Sequence, residues 1–241
     1  MEISDHKREV HHLGQLQENL KQIVYGGNDG IVTTFAIVAG FAGAGAEGAA
    51  QIGALAVLVF GLANLFADAV SMGLGEFLST RSQMDLYATQ RAIELKELED
   101  NPNGERAELI EMMTDRGLTR EDAEHAADRL MKSPELVVDM MMAYELEMPE
   151  MRQAAPAWDG LVTFASFLVF GAVPLLPYFL RDPSEATFWL SVWATFGALV
   201  GLGVLRWWAS REKILRCIGE TVLVGGVCAV VAFGVGAIVG G

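Results

Sequence analysis

LAVLVFGLANLFADAVSMGLGEFLST, residues Leu55–Thr80, is long and apolar enough to cross a bilayer, yet it carries Asn64, Asp68, Met72 and Glu76 at every fourth position. On a helix that spacing makes a slowly drifting stripe along one face. A carboxylate near the bilayer centre costs about 2.5–3.5 kcal/mol to insert. A plain anchor would not accept two. The stripe therefore reads as a polar lining, and the rest of the chain as a membrane structure built around it.

Composition separates along the chain in the same way. The 241 residues are 52% hydrophobic yet carry a formal net charge of −14. Residues 81–152 hold 18 of the 31 acids but only 9 of the 17 basic residues, and nine of the eleven methionines. An apolar scaffold and an acidic, methionine-rich insert are thus distinct regions. The acidic balance argues against nucleic acid as a partner and suits cations. Cys217 and Cys228 have neither metal-ligand spacing nor an evident disulfide role. The opening, MEISDHKREVHHLGQLQENLK, lacks the apolar core and cleavage site of a signal peptide.

Working outward, residues 8–24 place Val10, Leu13, Leu16, Leu20, Ile23 and Val24 at helical spacing. They form either an amphipathic helix on a membrane or partner, or an ordinary surface helix. Tyr25-Gly26-Gly27-Asn28-Asp29-Gly30 is expected to break regular structure. A first span from Ile31 to about Ala46 is rich in small residues, which let helices approach closely. A turn near Glu47–Gln51 leads to the second span, Ile52–Thr80. In the insert, helices are expected over Gln83–Asp100, Glu105–Arg116, from the Thr119 cap to Lys132, and from the Ser133 cap to Met148. Asn101-Pro102-Asn103-Gly104 is expected to interrupt the first two. Spans three to five are Trp158–Leu180, bent by Pro174 and Pro177, then Phe188–Trp208 and about Ile214–Val239.

The expected organisation is therefore all-α: an N-terminal segment 1–25, spans one and two in 26–80, the insert 81–152, and spans three to five in 153–241. Arg206, Arg211, Lys213 and Arg216 crowd the last link, so the positive-inside rule puts that link, the N-terminus and the insert in the cytosol. Asp29-Gly30-Ile31-Val32-Thr33 is echoed by Asp159-Gly160-Leu161-Val162-Thr163, and each copy opens a span.

The insert pairs Glu94 with Glu97 and Glu105 with Glu108, each three residues apart. Glutamates at that spacing share a helix face and repel, and a divalent ion would relieve them. Met141, Met142 and Glu145 present thioether and carboxylate together. Carboxylates suit hard ions and thioethers softer ones, so the mixed set points to first-row ions such as Fe²⁺ rather than Ca²⁺ or Mg²⁺. A solvated helix surface with methionines as core filler is the competing reading of any one pair. Within the membrane the candidates are Asp29, Asp68, Met72 and Glu76, able to bind metal, carry protons, or both. Glu76 is alternatively interfacial or a cap, and Asn64 an interhelical hydrogen-bonding residue. A twofold dimer would double each ligand on its axis. There is no nucleophile, phosphate loop or cofactor motif, so the expectation is a protein that is not an enzyme and carries no cofactor.

GGNDGIVTTFAIVAG, ADAVSMGLGEFLSTRSQ, RAIELKELE, MMMAYELE and VPLLPY, taken together, resemble the vacuolar iron transporter family of iron and manganese transporters. The resemblance runs from Tyr25 to the C-terminus. It implies five transmembrane helices with a cytosolic metal-binding insert between the second and third, a homodimer, and export of Fe²⁺ from the cytosol in exchange for protons. It implies that Glu94, Glu97, Glu105, Glu108, Met141, Met142 and Glu145 are cytosolic metal ligands, and that Asp29 and Met72 lie on the translocation path. Asp68 and Glu76 share that face. Mn²⁺, Co²⁺ and Zn²⁺ are further candidate ions. The membrane would be the plasma membrane of a prokaryote or the vacuolar membrane of a eukaryote. A membrane-tethered sensor or buffer, or an uncoupled cation channel, is the alternative function.

Overall fold

The computed structural model describes residues 15–43, 50–151, 154–182 and 184–240. Its regular elements are helical throughout. They are α1 (Gln15–Glu18), α2 (Leu20–Gly43), α3 (Ala50–Asp100), α4 (Pro102–Asp115), α5 (Arg120–Leu130), α6 (Pro134–Tyr144), α7 (Pro156–Gly171), α8 (Leu176–Leu180), α9 (Glu185–Ser210) and α10 (Ile214–Gly240). Two compact units result. One takes the described residues up to Phe77 and from Ala157 onward; the other is Leu78–Pro156.

Four helical segments among the described residues are long and apolar enough to cross a membrane: Leu55–Asp100, Pro156–Leu180, Glu185–Ser210 and Ile214–Val239. The expected first span, in α2, is not one of them. Its Gly26–Gly30 opening dilutes the apolar run, and residues 44–46 lie outside the described set. The apolar exposure of the unit is that of a protein solvated by lipid. Leu55, Leu223, Val230, Ile238 and Val239 are all more than 60% exposed, an arrangement that would drive aggregation in water.

The expected break at Tyr25–Gly30 is not observed: α2 runs through it. The glycines serve close packing instead. A Cβ on Gly26 would lie 2.6 Å from the Thr163 carbonyl oxygen of α7, and Gly30 is pressed on the Phe167 backbone. Gly73 and Gly160 do the same between α3 and α7, where a Cβ on either would come within 2.9 Å of the other's carbonyl oxygen. Such contacts supply the van der Waals attraction that holds helices together where lipid removes the hydrophobic drive. The two sequence copies also share a local bond: Thr33 Oγ1 donates to the Asp29 carbonyl at 2.8 Å, and Thr163 Oγ1 to that of Asp159 at 2.9 Å.

Ile52–Thr80 and Gln83–Asp100 are one helix of 51 residues, α3, about 77 Å long at 1.5 Å per residue. The interruption after it is narrower than 101–104. Asn101 alone breaks the helix and its side chain caps α4, accepting from the Gly104 amide at 3.2 Å, while Pro102 takes the first turn. Thr119 caps α5 through the Asp122 amide. Helix α6 stops at Tyr144, short of Met148, because Glu147 takes a left-handed backbone (φ 51°) and the Met148 amide turns back to the Met142 carbonyl. Pro174 tightens the end of the Pro156–Leu180 segment into a 3₁₀ turn over Val173–Leu175 before α8 continues it.

Candidate metal-handling site

The expected ligands gather in two places, one in each unit. In the membrane unit, Gly61, Leu65, Ala69 and Gly73 form a buried ridge on α3. Asn64, Asp68, Met72 and Glu76 lie one position away and are all half-buried. The four-residue period thus sets a polar ridge beside a ridge of packing contacts. Asn64 Nδ2 donates to Asp68 Oδ2 at 2.6 Å. Met72 packs against a core that includes Phe35, Val38, Leu65 and Phe167. Asp29, on α2, is close enough to Asp68 for the two carboxylates to repel. Glu76 is held by an ion pair with Lys21 Nζ at 3.0 Å and a long hydrogen bond from Gln22 Nε2 at 3.4 Å.

Asp29 also lines a cavity of about 950 Å³ with Lys21, Tyr25 and Asn28 on α2 and Arg206 and Glu220 across from them. Glu220 is taken up by Arg206 at 2.7 Å and Arg216 at 2.9 Å. Sequence reading missed Lys21 and Gln22. They fall in a polar opening segment, and no spacing rule connects them to a residue more than fifty positions away.

In the other unit, Glu94, Glu97 and Glu105 each bring a carboxylate oxygen within 4.8 Å of the others. Glu94 and Glu105 are 5% exposed. Glu108, Met141 and Glu145 line a neighbouring pocket of about 230 Å³ with Glu111, Met112, Asp115, Arg116 and Tyr144. The two groups interact electrostatically: Glu94 is repelled by Glu145, Glu97 and Glu108, and Glu145 by Glu108 and Glu97. Burial, followed by repulsion from Glu108, Glu94, Glu145 and Glu97, raises the Glu105 carboxyl to about 7. Burial, then Glu108 and Glu97, also raises Glu145 above the usual carboxylate range.

Nearby arginines are committed elsewhere. Arg91 binds Glu135 and Asp139, and Arg106 binds Asp128. Arg116 lies over the Tyr144 ring and donates to the Tyr144 and Met112 carbonyls. Among the described residues, no basic side chain pairs with these five glutamates. Like charge gathered around the two buried carboxylates, Glu94 and Glu105, is relieved by protonation or by a multivalent cation. Met142 is completely buried in the core with Tyr87, Leu109, Val137 and Met141. Glu111 and Asp115 were not singled out in the sequence, although Glu111 continues the three-residue spacing from Glu108.

An all-helical membrane protein with a polar ridge in one span and an acidic helical unit is the class these features define. A family model described as the VIT family matches residues 20–237. The chain is 32% identical to a vacuolar iron transporter of Toxoplasma gondii, over 97% of this chain and 78% of that one. It is 31% identical to vacuolar iron transporter 1 of Arabidopsis thaliana, over 96% and 89%, and 31% identical to a vacuolar iron transporter of Centaurea cyanus, over 90% and 86%. The chain belongs to the VIT family.

Proposed function

We propose that this protein transports divalent iron, and also manganese, out of the cytosol in exchange for protons, as a homodimer with five spans per chain. The observation that carries the reading is the Asn64–Asp68–Met72–Glu76 ridge in a helix apolar enough to cross a membrane. The names of the relatives, all transporters of iron, support the cargo. In this reading α2 is the first span, and Leu78–Pro156 lies in the cytosol with the basic link Arg206–Arg216.

The insert glutamates, including Glu145, with Met141 beside them, collect the ion and raise its local concentration. Asp29, Asp68 and Met72 then pass it across. Protonation of a carboxylate on the far side weakens its hold and releases the ion. A groove of about 910 Å³ between α2, α3 and α10, lined by Ala36, Gly40, Ala63, Asn64 and Gly236 among others, offers small residues and one polar side chain to a second copy. The organelle follows the host: plasma membrane in a prokaryote, vacuolar membrane in a eukaryote.

Purified protein in sealed vesicles, loaded with an iron-sensitive dye, tests this. Iron is expected to enter faster with an opposing proton gradient than without one. Iron that binds but never crosses would leave a tethered buffer. Flux indifferent to the gradient would leave an uncoupled channel.

A further inference from the structure

The end of the polar ridge already holds a cation. Lys21 Nζ lies 3.0 Å from Glu76 Oε1, and Gln22 Nε2 donates to the same oxygen. Among the described residues, this is the one ridge carboxylate with a basic partner; Asp68 is held by the neutral amide of Asn64.

We propose that Lys21 is a tethered counter-cation, a lysine ammonium that occupies Glu76 until an incoming divalent ion displaces it; this rests on the transport reading above. The two partners differ sharply in setting. The Glu76 side chain is 9% exposed and that of Lys21 is 70% exposed. A carboxylate so enclosed is costly without a partner. The ammonium, on a flexible stem and largely exposed, is not caged by the protein and can swing away from Glu76.

Room for that movement is present. Lys21 also lines the cavity of about 950 Å³ on whose wall Asp29 lies, two helical turns further along α2. The other basic side chain of that cavity, Arg206, is bound to Glu220 and does not compete for the role. A divalent ion gains about twice the Coulomb energy of a monovalent one at the same carboxylate. It therefore displaces the ammonium under conditions where Na⁺ or K⁺ does not. Lys21 thus sets a threshold that lowers apparent affinity and favours divalent over monovalent ions.

The test is initial iron flux against iron concentration in vesicles holding full-length wild type, Lys21→Gln, Lys21→Arg, Glu76→Gln and the double variant Lys21→Gln/Glu76→Gln. Lys21→Gln is expected to lower the half-saturating iron concentration about two- to fivefold, the range of a partly exposed ion pair. It is also expected to make flux newly sensitive to competing K⁺. Lys21→Arg is expected to restore wild-type behaviour. In the Glu76→Gln background, removing Lys21 is expected to change nothing. Lys21→Met keeps the apolar stem and carries the same expectation should the glutamine variant fold poorly. An unchanged or raised half-saturation in both neutral variants overturns the inference, as does an effect that persists without Glu76. Wild type that carries no iron overturns the transport reading and this inference with it. Normal wild-type flux with unaltered Lys21 variants overturns this inference alone.

Discussion

The molecule holds carboxylates in two regions under opposite conditions. On the membrane ridge each acid of α3 has a partner: Asn64 for Asp68, Lys21 for Glu76. In the acidic unit five glutamates converge with no basic partner among the described residues, while Arg91 and Arg106 face other acids. The difference follows from solvent. Charge inside a bilayer is costlier to leave unpaired than charge in a half-solvated cluster, which can store repulsion and partly neutralise itself by holding protons. In the proposed function, the cluster under repulsion captures the cation and the partnered ridge passes it on.

The contrast breaks most visibly at Asp29. Asp29→Ala is expected to cut iron flux in vesicles by about tenfold or more, while the metal affinity of the acidic unit, measured by titration, stays as in wild type. Near-normal flux in this variant would remove Asp29 from the path.

Glu105→Gln should produce two effects of opposite sign. Metal binding weakens about tenfold, because a ligand is lost. The metal-free protein melts higher, because a buried like charge is gone. Calorimetric titration and a thermal melt check both; a metal-free protein that melts lower would mean the cluster is not under repulsion.

Met141→Leu keeps volume and is expected to cost less than about 1.5 kcal/mol in stability. It is expected to weaken Fe²⁺ binding about two- to fivefold while leaving Ca²⁺ binding unchanged, since only the softer ion uses the thioether. Equal losses for both ions would assign Met141 to packing alone.

A further effect is expected on pH. Glu105 titrates near 7 in the fold against 4.5 when unperturbed. Between those values the folded state holds the extra proton, so this contribution to stability is full below about 4.5 and lost as pH rises through about 7. Without metal, the melting temperature should fall as pH rises through that window. Saturating divalent ion should reverse the drift, because the ion binds the deprotonated cluster. A flat metal-free profile would contradict the shift.

Much of this was legible in the chain. The four-residue stripe, the apolar runs, the Thr119 cap and the Pro174 bend are local patterns, set by helical geometry and by residues whose backbone preferences act within one turn. The clustering of Glu94, Glu97 and Glu105 was half legible. The first pair shares a face by spacing, but the meeting with Glu105 needed the Asn101 cap that folds α4 back after α3. Tyr25–Gly30 was misread because a glycine run has the same appearance whether it frees the chain or admits a neighbouring backbone. Only the approach of α7 at Thr163 and Phe167 shows that here it does the second.

The sequence by itself determined most of the helical segments, four of the runs apolar enough to cross a membrane, and which stretches concentrate acid and methionine. Those properties depend on composition and on a period of 3.6 residues. Tertiary structure alone decided that α3 is unbroken, that Lys21 neutralises Glu76 across fifty-five positions, and that the insert glutamates are left to one another. Charge pairing falls off steeply with distance, and only the folded chain sets those distances.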